Sequence, residues 1–64
     1  MEIHFCLYNK PFAMMLSPFV PSVGDKIDFR IEGKLCHYIV TSRKLDFDKD
    51  DDNKIIINMI DELD

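Results

Sequence analysis

Residues 25–34, DKIDFRIEGK, alternate without a break. Ile27, Phe29 and Ile31 fall on one side of an extended chain; Lys26, Asp28, Arg30 and Glu32 fall on the other. Successive side chains of a strand point to opposite faces, so this pattern predicts a half-buried antiparallel strand. Glu32-Gly33-Lys34 then reads as a tight hairpin turn, with Gly33 supplying positive φ. The arm that leaves the turn, KLCHYIVTSRKLDF (34–47), is rich in β-branched and aromatic residues and predicts a second strand. Cys36, Tyr38 and Val40 share one face; Leu35, His37, Ile39 and Thr41 share the other. The alternation weakens at Thr41–Arg43, where a bend or bulge is expected.

Outward from this hairpin, EIHFCLYN (2–9) predicts a first strand with Ile3, Phe5 and Leu7 on one face and His4, Cys6 and Tyr8 on the other. NKIIINMIDEL (53–63) has two readings. Three successive isoleucines favour a strand over 54–60, while Met59, Ile60 and Leu63 have helical spacing; the strand is preferred. KPFAMMLSPFVPSVG (10–24) holds all three prolines, Pro11, Pro18 and Pro21. Proline fits poorly into a continuous strand or long helix, so a connecting loop, or a short helical turn at 12–16, is expected there. The segment is apolar for a loop, and such a loop must pack on the core or on another molecule.

Sixty-four residues make one domain, 1–64, of marginal intrinsic stability. The expected architecture is all-β: a small curved antiparallel sheet or SH3-like barrel of four to five strands, with a proline-containing apolar loop after strand 1. A flat sheet would leave an apolar side open and predict a homodimer. No apolar run approaches the roughly 20 residues that span a bilayer, so no membrane association is expected. The chain starts without a basic segment, and its two cysteines, Cys6 and Cys36, are expected to be reduced; the expected location is cytoplasmic.

The acidic stretch KLDFDKDDDNK (44–54) invites a calcium reading, and its spacing refuses one. A twelve-residue calcium loop needs oxygen ligands at positions 1, 3 and 5, glycine at 6 and glutamate at 12. Counting from Asp46 places Asp48 and Asp50 correctly, but Asp51 at 6 and Ile57 at 12. The stretch reads instead as a polar hairpin loop, where Asp and Asn suit turns. His4, Cys6, Cys36 and His37 match zinc by residue type, but adjacent Cys36 and His37 point to opposite faces of a strand. Cys-His pairing for nucleophilic catalysis needs an orienting third group in a cleft. No catalytic residue, metal ligand or cofactor site is assigned, and no enzymatic activity is expected.

Charge is uneven. Residues 1–45 carry six Lys/Arg against four Asp/Glu; residues 46–64 carry two lysines against eight acids. Net acidity opposes nucleic-acid binding, although Arg30, Arg43 and Lys44 are candidates for a local basic face. A third reading has the 46–52 carboxylates presented to a basic partner, as an acidic inhibitor or decoy. The leading reading is a non-enzymatic protein-interaction module that associates with itself or with another protein. Its candidate contacts are Phe12, Met14, Met15, Leu16 and Phe19, because methionine and phenylalanine make adaptable contact surfaces.

VPSVGDKIDFRIEGKLCHYIV resembles a group of short bacterial all-β proteins with the pattern V-P-x-x-G-D-x-I followed by a glycine hairpin and Y-x-V. The matching positions are Val20, Pro21, Gly24, Asp25, Ile27, Gly33, Tyr38 and Val40. The resemblance covers roughly residues 20–47. It implies a proline-bounded turn, Gly24-Asp25 opening a strand, and a hairpin. Proteins of this pattern mostly carry no assigned activity, so it implies no catalytic residue.

Overall fold

The computed structural model describes residues 1–50 and 53–63. Five strands follow one another: β1 (Glu2–Leu7), β2 (Lys10–Leu16), β3 (Lys26–Ile31), β4 (Lys34–Asp46) and β5 (Lys54–Asp61). They form one sheet in the order β2-β1-β5-β4-β3. The expected β3–β4–β5 meander is present, with both pairs antiparallel. The sheet as a whole is mixed, because β1 and β5 run parallel, Ile3 beside Ile55 and Phe5 beside Ile57. The second reading of the C-terminal segment gives way to the strand, which extends to Asp61.

Turn chemistry sets the register. Glu32 and Gly33 both have positive φ, 51° and 80°, the signature of a two-residue type I′ turn between Ile31 and Lys34. A second turn of this kind joins β1 to β2, where Tyr8 (50°) and Asn9 (65°) are left-handed between Leu7 and Lys10. Tyrosine has no intrinsic liking for that conformation. Its place is enforced from outside the hairpin. The Tyr8 N–H donates to the Met59 carbonyl at 3.1 Å, and its hydroxyl lies 3.1 Å from Asp61 Oδ2 and accepts from the Asp61 N–H at 3.3 Å.

The structure therefore corrects the reading of residues 10–16 as loop. They form an edge strand, and the connecting loop is only 17–25. Proline is tolerated because β2 is an edge and because Pro11 sits at an irregularity: Phe5 pairs with Ala13 but Cys6 with Pro11, leaving Phe12 as an extra residue. The bulge expected near Thr41–Arg43 is found, with Val40 opposite Met59, Ser42 opposite Asn58 and Thr41 unpaired between them. The Thr41 hydroxyl donates to the Asn58 carbonyl at 3.3 Å.

The core is the inner face of a curled, open half-barrel. Ile3 and Phe5 of β1, Tyr38 and Val40 of β4, and Ile55, Ile57 and Met59 of β5 are buried. The curl is closed across the sheet's ends by aromatic rings. Phe12 of β2 meets Phe29 of β3 and Tyr38 of β4 edge to face, at 5.2 and 5.5 Å between centroids. Phe29 also packs edge-on against Phe5 at 5.3 Å. The two outer strands nevertheless form no ladder with each other: no Cα of β2 lies within 8 Å of one in β3. None of the described residues belongs to a helix long and apolar enough to cross a membrane.

Candidate interaction site

The open seam leaves two sheet edges, and they differ in chemistry. The β3 edge carries Lys26, Asp28 and Arg30 on its outer face, charges that discourage strand pairing. Lys26 is held by Glu62 at 2.9 Å, and Asp28 by the His37 ring at 2.7 Å. The β2 edge carries its one lysine, Lys10, at the turn end, and beyond it has no such protection, because no residue from Pro11 to Gly24 is charged.

The hydrogen-bonding register of β2 shows what this edge offers. Ser17 exchanges both backbone bonds with Met1, its N–H donating at 3.0 Å and its carbonyl accepting at 3.3 Å from the N-terminal ammonium. Antiparallel ladders alternate, and the Cα partners are Glu2–Leu16, Ile3–Met15 and His4–Met14. Met15 and Ala13 therefore turn their amides and carbonyls toward β1. Met14 and Leu16 turn theirs outward, where no described strand pairs with them.

Largely apolar surface flanks this edge on both faces, with Lys54 beside the outer cleft and Asp28 and Arg30 beside the inner groove. On the outer face lies a cleft of about 410 Å³ whose lining includes His4, Cys6, Pro11, Met14 and Ile56. On the inner face the seam between β2 and β3 opens a groove of about 360 Å³ floored by Ile3, Phe5, Met15 and Phe29. Leu16 and Phe19 are the most exposed of the five candidate contacts, at 77% and 81%. The Ser17 hydroxyl holds the turn that projects Phe19, accepting from the Phe19 N–H and donating to its carbonyl, both at 3.0 Å. Met14 and Met15 are exposed as well. Phe12 is placed differently: it is half-buried, and its ring contacts are internal.

The other residues singled out in the sequence do not converge. Arg43 and Lys44 are neighbours on β4 and so point to opposite faces, opposite Ile57 and Ile56 respectively. Arg30 pairs with Leu35, nine residues along β4 from Lys44, a separation of about 30 Å at ~3.3 Å per residue. These three cations build no common basic surface. His4 and Cys6 lie on the outer face and Cys36 on the inner, and both thiols are free. His4 is engaged by Glu2 at 2.5 Å. In the acidic loop, Asp48 accepts the Asp50 N–H at 3.0 Å, the side-chain-to-backbone bond of a turn. Asp51 and Asp52 lie outside the described residues.

Burial raises the Tyr38 phenol above its ordinary 10.0, with the Cys36 thiol and the Asp61 carboxylate adding to the effect. Among the described residues, no group of three or more His, Cys, Asp or Glu side chains is placed to hold a metal ion. Comparison with known proteins finds no matching family model, no matching curated protein and no matching solved structure.

Proposed function

We propose that the chain is a non-enzymatic self-association module that uses the β2 edge and the loop after it. One observation carries this reading: an edge strand with outward-facing backbone groups on Met14 and Leu16, exposed apolar side chains, and no charge from Pro11 to Gly24. Natural sheets ordinarily blunt their edges with lysine, charge or coverage, as β3 does here. An edge left apolar and open is suited to be covered. Met14, Met15, Leu16 and Phe19 supply the contacts, and Phe12 supports them from the core side. The two free thiols, on opposite faces, suit a reducing compartment, and the module is assigned to the cytoplasm.

The test is the mass in solution by light scattering, from about 10 μM to about 1 mM, since association follows concentration by mass action. A species of twice 7.5 kDa that grows with concentration is the expected result. A 7.5 kDa monomer throughout would overturn the reading.

A further inference from the structure

We propose that two copies join β2 to β2 as antiparallel strands, with the two-fold axis at Met15, so that two five-stranded sheets become one continuous sheet. The proposal rests on the self-association reading and specifies how that site is filled.

Four features on this edge converge. First, the free backbone groups belong to Met14 and Leu16, two positions apart. An antiparallel partner centred on Met15 sets Met14 against Leu16 of the second copy, and Leu16 against its Met14. Each pair then exchanges both N–H···O bonds, and Met15 meets its own copy as a non-hydrogen-bonded pair.

Second, residues 13–17, Ala-Met-Met-Leu-Ser, are a palindrome of size about Met15. Ala13 faces Ser17 of the second copy, small against small; Met14 faces Leu16, large against large. Cross-strand neighbours of this kind are the unit of sheet stabilisation. Third, a two-fold axis brings each residue near its own copy, so a charge close to the axis would meet itself. This stretch carries none. A foreign partner would impose neither the palindrome nor the neutrality.

Fourth, Pro11 and Pro18 bracket the open stretch. Lacking an N–H, they limit pairing to the short strand between them. That favours a closed pair over a sliding register. The charged β3 edge, at the other end of the sheet, blocks open-ended growth.

Two measurements test the pairing. In a chain carrying Cys6→Ser and Cys36→Ser, Met15→Cys places the new thiols on the axis, where Cα atoms of a non-hydrogen-bonded pair lie about 4.5 Å apart, within disulfide reach. Mild oxidation should link this variant at least about tenfold faster than Leu16→Cys in the same background, because Leu16 is offset from its own copy. In the unsubstituted chain, amide exchange at Met14 and Leu16 should slow by about tenfold or more between dilute and concentrated samples. A doubled mass without this cross-linking preference and without protection at Met14 and Leu16 overturns the β2–β2 pairing while self-association stands. A monomer at every concentration overturns both, and open-ended oligomers overturn the closed two-fold.

Discussion

Single residues in this chain take conformations that their types do not prefer, and the cost is measurable. Glu32 sits at φ 51°, where only glycine, asparagine and aspartate are at ease. Glu32→Asn converts the turn to the Asn-Gly pair that type I′ hairpins favour. It should stabilise the fold by about 1 kcal/mol, raising Tm by roughly 4–8 °C in a domain of this size. Thermal unfolding followed by circular dichroism reads this directly. Tyr38 gives a prediction in pH. Its phenol is held neutral by burial, with its folded value raised above 10.0. Below pH 10 the phenol is neutral in both states and the stability is intact. As pH rises through the unfolded value, the unfolded chain ionises first and binds fewer protons than the native one, so stability falls until the raised folded value is passed. Denaturant midpoints measured upward from pH 9 should therefore decline, and Tyr38→Phe should flatten the decline relative to the parent.

Elements show how packing overrides propensity. β4 keeps a two-residue alternation through Cys36, Tyr38 and Val40, then shifts phase at Thr41, so that Arg43 and Leu45 continue the inner side opposite Ile57 and Ile55. One extra residue thus swaps the faces of the residues after it, putting Arg43 rather than Lys44 on the inner side. β2 shows the converse. Two prolines would forbid a central strand, yet an edge strand with a bulge admits Pro11 and ends before Pro18. Leu16→Lys tests the role of this edge. The side chain is exposed, so its loss should cost the monomer within about 0.5 kcal/mol. A lysine on the open edge opposes pairing, and the doubled mass should vanish while far-UV circular dichroism is unchanged. An unfolded variant would instead make this part of β2 core.

At the scale of the whole molecule, two balances decide behaviour. The first is closure. Phe12 spans the seam to Phe29 and Tyr38, so Phe12→Ala removes the contacts that hold β2 toward β3. Full burial would put the cost at about 3–5 kcal/mol; a half-buried ring should cost about 2. That is a large share of the stability of so small a domain, and a urea midpoint would register it. The second is charge. Each copy carries net −4, while residues 11–24, the open part of the β2 edge and the loop after it, carry no charge. Copies repel at a distance and meet without charge, so added salt screens the repulsion and should tighten association between about 0.05 and 0.5 M. An ion-paired interface would weaken over the same range.

Alternation from Ile27 to Val40, the turn glycine at Gly33 and the weakened pattern at Thr41 made the all-β class, the meander and the bulge legible in the sequence by itself, because strand faces and turns are local properties. The apolar character of residues 12–20 was equally legible. Four things depended on the tertiary structure: that residues 10–16 pair with β1, that β1 runs parallel to β5, that Phe12 turns inward while Leu16 and Phe19 turn outward, and that Arg30 lies far along β4 from Arg43 and Lys44. Each depends on contacts between residues distant in the chain. The Tyr8 turn carried no Asn-Gly signal, and its left-handed geometry is held by Met59 and Asp61 at the far end of the sequence. Local pattern specifies what a segment can be; the partners supplied by the folded chain determine which edge stays open.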